Sequence, residues 1–361
     1  MKVLILANND IGLYKFRKEL IERLLVHHQV YICLPNGEFV SLLKKMGCYF
    51  VSCELERHGM NPFKEIKLFA YYTKILKKIK PDITFTYTIK PNVWGGMACS
   101  FLNIPYVANI TGLGSAVETS GMLQKITLLL YKFGLRKAQN VFFQNQENQN
   151  FMITRHIITG RYDLLPGSGV NLKQYIVLDF PKDDCINFSF IARIMKQKGI
   201  EQFLEAAEYI KSKYPKTNFH VCGECEENYK DRLIELQNKK IIIYHGLVKD
   251  IVAIHRNSHC TVLPTYYPEG LSNVLLESVA CGRPIITTNR SGCREIVDDC
   301  INGYIVKPKD SKDLIDKIEK FIHLSFSEKR KMGLNGRIKV EKNFNREVVI
   351  EKYLKELDQV K

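Results

Sequence analysis

The amino-acid sequence predicts an α/β protein with two parallel-sheet domains, and three observations carry that expectation. The chain has 361 residues, room for two domains that each bury a core. Short runs rich in β-branched residues alternate with amphipathic stretches, the pattern of strand-helix-strand units. That pattern fades at Leu178–Cys185, where Asp, Pro and Lys cluster, and then starts again.

In the first half the expected strands are Val3–Ala7, Val30–Leu34, Phe50–Ser52, Asp82–Tyr87, Tyr106–Ile110 and Asn140–Gln144, runs in which Val, Ile, Phe and Tyr are prominent. Helices fall between them: Tyr14–His27, one from Phe39, a basic one over Pro62–Lys80, one opening near Val93 and another over Met122–Lys137. The second half repeats the alternation. Its strands are Asn187–Ala192, Asn218–Cys222, Ile241–Tyr244, Ser258–Leu263, Pro284–Thr288 and Gly303–Val306, with helices over Gly199–Lys213, over Tyr229–Asn238 and from Ser272. Strands joined through helices pair in parallel. The expected domains are residues 1–178 and 186–340, with 341–361 a helix returning to the first. Ligands of such sheets bind beyond the carboxyl ends of the strands, so a cleft between the domains is the expected site.

Composition narrows the class. Hydrophobic residues at 45% and charged residues at 25% are those of a soluble globular protein, and they exclude collagen-like, disordered and coiled-coil chains. No apolar run approaches the roughly 18 residues of a membrane span. The segment Met1-Lys-Val-Leu-Ile-Leu-Ala7 lacks a small-residue cleavage site and reads as a first strand, so a cytoplasmic location is expected. Eleven cysteines scattered over the chain predict reduced thiols rather than a disulfide framework. The lone Cys222-Gly-Glu-Cys225 has no second CxxC, and no metal is expected there.

The net charge of +15 is uneven: residues 1–175 carry 22 Lys and Arg against 11 Asp and Glu, while residues 176–361 carry 31 against 27. Within Pro62–Lys80 the lysines 64, 67, 74, 77, 78 and 80 interleave with Phe63, Ile66, Leu68, Phe69, Tyr71, Tyr72, Ile75 and Leu76, and Met122–Lys137 is built similarly. Basic amphipathic helices suit an anionic membrane surface, while the plainer alternative is a solvated helix face over a buried stripe. Nucleic acid is not expected as a partner, because no recognition motif accompanies the charge.

The most informative segment runs from Pro264 through Glu269-Gly-Leu-Ser-Asn273 to Glu277 and Ala280-Cys-Gly-Arg-Pro284. A strand ends at Leu263, Pro268 and Gly270 shape a turn, and Ser272 is placed to cap a helix. The amides of Gly270, Leu271, Ser272 and Asn273 at that start suit a diphosphate, with Glu269 placed for a sugar and Glu277 for the hydroxyls of a ribose. Chance carboxylates serving only the helix dipole are the alternative reading of the two acids. In Ile191-Ala-Arg-Ile-Met-Lys-Gln-Lys-Gly199, a strand delivers Arg193 and Lys198 to a loop ahead of a helix, where cations offset charge on a leaving diphosphate. Asn8-Asn-Asp-Ile-Gly12 closes the first strand, and the Gly12 amide is a further phosphate candidate, although the segment is no GxGxxG.

These residues resemble retaining glycosyltransferases of family 4, with the GT-B fold of two Rossmann-like parallel-sheet domains facing across a cleft. The resemblance extends over essentially the whole chain and is densest at Glu269–Glu277, Arg193 with Lys198-Gly199, Ala280–Pro284, Ser291-Gly292 with Arg294-Glu295, and Asn302-Gly303. Tyr87-Thr-Ile-Lys-Pro-Asn-Val-Trp-Gly-Gly96 and Asn109-Ile-Thr-Gly-Leu-Gly114 look like the branch that builds bacterial capsular, O-antigen and other undecaprenyl-linked glycans. The resemblance implies that Arg193 and Lys198 hold the donor diphosphate, Glu277 its ribose and Glu269 its sugar, beside the Gly270 and Leu271 amides. Many relatives carry His where this chain has Thr111, and Lys90 and Asn92 are the further acceptor candidates.

The implied reaction moves a hexose or N-acetylhexosamine from a nucleotide diphosphate, UDP by the branch resemblance, to a lipid-linked acceptor with retained anomeric configuration. No cofactor beyond the donor substrate is expected, and no metal, since the chain has no Asp-x-Asp and its cations supply the positive field. The expected location is the inner face of the cytoplasmic membrane, bound peripherally. Two rival readings share the fold: a nucleotide-sugar epimerase or hydrolase needing no acceptor, and a non-catalytic adaptor in a glycan assembly complex. Retention of Arg193, Lys198, Glu269 and Glu277 together disfavours the adaptor.

Overall fold

A computed structural model describes residues 1–54, 61–114, 117 and 120–360. The chain divides into two compact units. The N-terminal unit comprises Met1–Ser168, Glu269–Leu271 and Glu347–Lys361; the C-terminal unit comprises Gly169–Pro268 and Ser272–Arg346. The division falls ahead of the expected break at Leu178–Cys185. Gly169, at φ +64°, lies so close to Arg346 that a Cβ would come within 2.5 Å of its Cα, which fixes the C-terminal unit's edge there.

The N-terminal unit is built on a seven-stranded parallel sheet in the order β3-β2-β1-β4-β5-β6-β7, formed by Lys2–Leu6 (β1), Gln29–Leu34 (β2), Tyr49–Ser52 (β3), Ile83–Tyr87 (β4), Tyr106–Ile110 (β5), Asn140–Phe143 (β6) and Tyr162–Leu164 (β7). Six of these strands match the apolar runs of the sequence. The seventh is short and largely exposed at the sheet edge, so it carries no such run. The residues of β1, β4, β5 and β6 are almost wholly buried, as a sheet covered on both faces requires. The helix Arg346–Leu357 contributes Val349, Ile350, Tyr353 and Leu357 to the core that β1 and β4 share. Its Glu356 carboxylate, 1% exposed, takes hydrogen bonds from Asn140 at 2.8 Å and Gln139 at 3.0 Å and pairs with Arg161 at 2.6 Å.

The expected helix near Val93 opens as a π-turn over Pro91–Gly95 and continues as an α-helix over Gly96–Leu102. The helix Met122–Leu135 lies against this stretch at backbone distance. A Cβ on Gly96 would stand 2.1 Å from the Gly134 carbonyl oxygen, and one on Gly134 would stand 2.6 Å from the Val93 Cα. Tyr106 donates to the same Gly134 carbonyl at 2.7 Å. Glycine is required at both positions because the atoms in the way are backbone, which cannot rotate aside.

The C-terminal unit has a six-stranded parallel sheet in the order β10-β9-β8-β11-β12-β13, formed by Ile186–Ile191 (β8), Thr217–Cys222 (β9), Ile243–Gly246 (β10), Cys260–Leu263 (β11), Ile285–Thr288 (β12) and Gly303–Val306 (β13). Both sheets are parallel throughout, as alternation with helices demands. Arg283, 1% exposed, is a structural cation: it donates to the carbonyls of His255 at 2.7 Å and Asp179 at 2.6 Å, with its guanidinium over the Phe180 ring. Desolvation lowers its pKa to about 10. Among the described residues no helix is long and apolar enough to cross a membrane.

The glycine contacts generate a stability prediction. Gly96→Ala forces a methyl into a backbone carbonyl and should cost roughly 1–3 kcal/mol, an overpacking penalty. Thermal unfolding should then begin about 2–10 °C lower, and an unchanged melting curve would show that this approach is looser than described.

Candidate functional site

In the C-terminal unit the candidate cations sit at the carboxyl end of β8. The strand leads to Arg193, a single 3₁₀ turn over Lys196–Lys198 follows, and Gly199 starts the helix Ile200–Lys213. Gly199 has φ +81°, and a Cβ there would stand 2.2 Å from the Pro264 carbonyl oxygen. Only glycine satisfies both the left-handed backbone and that approach. The Gln197 carbonyl accepts from the Tyr266 amide at 2.8 Å and from the Thr265 hydroxyl at 3.2 Å, so the loop after β8 is stitched to the loop after β11. The result brings Arg193 and Lys198 to one aromatic ring: the guanidinium lies 5.3 Å and the ammonium 4.9 Å from the Tyr267 centroid. Two cations over one ring form a compact positive site at the carboxyl end of the sheet, where ligands of parallel sheets bind.

Arg193 also has a carboxylate partner that sequence reading missed. Its Nη1 donates to Glu226 Oε2 at 2.6 Å, and about a third of each side chain remains exposed. The segment bearing Glu226 is held beside the cation by an Ile194–Cys225 bridge, with the Ile194 amide donating to Glu224 at 2.8 Å and the Glu226 amide to Ile194 at 3.1 Å. Nothing in the sequence spacing joins residue 226 to residue 193.

The helix Asn273–Ala280 places Asn273 and Glu277 one turn apart, both half-buried. Ser272 stands at its N-cap without a side-chain capping bond, unlike the cap its residue type suggests. Its amide is not open to an anion either, since it donates to the Gly292 carbonyl at 2.8 Å. Gly292 is in turn held by Glu295, whose carboxylate accepts from the Gly292 amide at 2.7 Å and from the Ser291 hydroxyl at 3.0 Å. The Ser291-Gly292 and Arg294-Glu295 pattern thus fixes the start of this helix. Tyr175, remote in sequence, lies beside Glu277: burial first, and then the Glu277 carboxylate, hold its phenol well above the usual range. It therefore stays protonated as a donor to Glu277, which orients that carboxylate.

The remaining candidates belong to the N-terminal unit, as do Glu269, Gly270 and Leu271. Asn145 donates to the carbonyls of Glu269 at 3.0 Å and Gly270 at 2.7 Å, while its own oxygen caps the helix Gln146–Thr154. A Cβ on Gly270 would stand 2.4 Å from the Thr111 carbonyl oxygen and from Gln144 Oε1. Leu271 packs on Gly167, whose φ is +63°. Asn145 thereby positions the backbone of Glu269, a role invisible from sequence separation alone.

Three candidates in this unit already have partners within the protein. The Gly12 amide donates to Asn9 Oδ1 at 2.6 Å, because Asn9 caps the first helix and takes the donor intended for phosphate. Asn92 is fully buried, accepting from Thr86 at 2.6 Å and donating to the Asn109 carbonyl at 2.8 Å, so it braces β4 against β5 rather than meeting a ligand. Lys90 is mostly buried and paired with Glu65 at 2.6 Å. Thr111 stays half-buried at the end of β5, with its carbonyl toward Gly270.

The Arg193–Glu226 pair yields a binding prediction. A diphosphate must compete with Glu226 for the guanidinium, and a partly exposed pair contributes about 0.2–1 kcal/mol. Glu226→Gln should therefore tighten binding of a nucleoside diphosphate by up to about fivefold in calorimetry. Weaker binding in this variant would mean that Glu226 presents Arg193 rather than restraining it.

Comparison with known proteins shows the family. Residues 2–145 match the family model described as glycosyl transferase 4-like, and residues 179–339 match that described as glycosyl transferases group 1. The chain is 28% identical to an N,N'-diacetylbacillosaminyl-diphospho-undecaprenol alpha-1,3-N-acetylgalactosaminyltransferase of Campylobacter jejuni, covering 100% of this chain and 99% of the relative. It is 24% identical to a UDP-Gal:alpha-D-GlcNAc-diphosphoundecaprenol alpha-1,3-galactosyltransferase of Escherichia coli, covering 87% of this chain and 84% of that one. Among solved structures, Anabaena HepE in complex with UDP and glucose superimposes with a TM-score of 0.79 at 18% identity, over 99% of this chain and 100% of that one. The paired parallel-sheet units are those of the GT-B fold, and the chain belongs to glycosyltransferase family 4.

Proposed function

We propose that this glycosyltransferase moves a hexose or N-acetylhexosamine from UDP to a sugar carried on undecaprenyl diphosphate, with retention at the anomeric carbon, during bacterial surface-glycan synthesis. The observation that carries the reading is the pairing of Arg193 and Lys198 over Tyr267 at the carboxyl end of β8. Cations held there before substrate arrives stabilise charge as it develops on a departing diphosphate, once Arg193 exchanges Glu226 for phosphate. The names of the Campylobacter and Escherichia relatives, which specify undecaprenyl-linked acceptors, support the acceptor class.

In this reading Arg193 and Lys198 take the diphosphate. Glu277, oriented by Tyr175, takes the ribose hydroxyls, and Glu269 binds the donor sugar. The chemistry needs no metal where two cations already oppose the leaving group. Retention follows a front-face course, in which the departing phosphate oxygen takes the acceptor hydroxyl's proton as the new glycosidic bond forms on the same face. The enzyme works at the inner surface of the cytoplasmic membrane, where its lipid-linked acceptor resides.

The test is transfer from UDP-N-acetylgalactosamine, UDP-N-acetylglucosamine and UDP-galactose to undecaprenyl-diphosphate-linked sugars, with the product anomer assigned by NMR. One donor should be used, and its α-linkage should persist in the product. Glu277→Ala should lower kcat/KM by about 100-fold or more, the cost of losing a charged hydrogen-bonding partner of the substrate. An inverted product would overturn the retaining course, and full activity of Glu277→Ala would overturn the ribose assignment.

A further inference from the structure

The helix Met122–Leu135 carries apolar residues on two opposite faces. Leu128, Tyr131 and Leu135 point into the N-terminal unit and are buried. Met122, Ile126, Leu129 and Phe133 recur at steps of four, three and four, so they form one stripe along the helix. This stripe faces outward: Met122 is 80%, Leu129 53% and Phe133 50% exposed. A helix that meets only water on its outer side keeps that side polar. Contiguous exposed apolar surface marks an interaction site.

The charge beside the stripe selects the partner. Lys125, Lys132 and Arg136 are exposed along it, and the sequence from Thr119 to Gln146 holds no Asp or Glu. Phe101, on the helix that packs against this one, is also exposed. So are Phe63, Ile66, Lys64 and Lys67 at the start of the basic helix Pro62–Ile79. The helix is seated closely on the unit, since Gly96 approaches the Gly134 carbonyl at backbone distance.

We infer that Met122–Leu135 is an in-plane membrane anchor, with Met122, Ile126, Leu129 and Phe133 seated at the headgroup–acyl boundary of an anionic bilayer and Lys125, Lys132 and Arg136 on lipid phosphates. The stripe spans about 16 Å, enough to lie in an interface and too short to cross one. A second copy of this chain would bring the same basic flank and repel. Nucleic acid would engage the lysines but leave the apolar stripe in water. The inference deepens the proposed function by naming the surface that meets the acceptor's membrane, yet lipid binding is measurable without any sugar transfer.

The test is co-sedimentation of the full chain with vesicles of phosphatidylglycerol and phosphatidylcholine, and with phosphatidylcholine alone. Wild type should bind the mixed vesicles, less as salt rises, and bind the neutral ones weakly. Leu129→Glu with Phe133→Glu should lower partition at least about tenfold, since two large side chains leave the acyl boundary. That variant should keep its melting temperature and its turnover on a water-soluble short-chain acceptor, while losing turnover on acceptor embedded in vesicles. Lys125→Gln with Lys132→Gln, which leaves the apolar stripe intact, should weaken the salt dependence.

Undiminished partition of the glutamate variant would overturn the inference, as would failure of wild type to bind mixed vesicles. A concentration-dependent dimer dissolved by the same substitutions would reassign the stripe to a contact between copies. Vesicle binding that behaves as expected without sugar transfer to either acceptor would leave the anchor standing and remove the transferase reading.

Discussion

At Gly199 the backbone turns left-handed within reach of the Pro264 carbonyl, and the candidate chemistry follows from that contact. It ties the ends of β8 and β11 together, lets Gln197 accept from Thr265 and Tyr266, and so delivers Arg193 and Lys198 to the ring of Tyr267. A side chain at residue 199 would separate the loops by more than an ångström. An electrostatic site depends on such fixed placement, because cations that must first reorganise stabilise a developing charge less.

The same device recurs at several other glycines. Gly270 lies against Thr111 and Gln144, Gly333 against the Gly282 carbonyl, and Gly96 against Gly134. These glycines hold backbone at distances that no β-carbon permits, and polar side chains then finish the positioning: Asn145 on the backbone of Glu269, Glu295 on Gly292, Tyr175 on Glu277. The motifs therefore encode scaffold as much as chemistry. Arg283, central to Ala280–Pro284, spends its donors on carbonyls in the interior.

Most of the fold was legible because buried parallel strands must be nearly continuous apolar runs, and of the thirteen described strands the sequence missed one, although β10 lies two residues beyond the expected run Ile241–Tyr244 and is only partly buried. The exception, Tyr162–Leu164, is a three-residue edge strand whose pairing is tertiary. At the candidate site, Arg193, Lys198, Glu269 and Glu277 could be singled out from spacing because each falls near where a strand gives way to a helix. Spacing did not show that the amides of Gly12 and Ser272 bond locally to Asn9 and Gly292, or that the Asn92 side chain braces two strands. Glu226, Asn145 and Tyr175 escaped because their neighbours are remote in sequence.

The central claim is that Arg193 and Lys198 form a diphosphate site, and calorimetric titration of the wild-type protein and Arg193→Ala with UDP and with uridine tests it most directly. UDP should bind the wild type at least about tenfold more tightly than uridine, and the difference should largely vanish in Arg193→Ala, because a charge-assisted contact to phosphate contributes about 1.5–3 kcal/mol. Equal affinities for UDP and uridine in the wild type, or an undiminished preference for UDP in the variant, would contradict it.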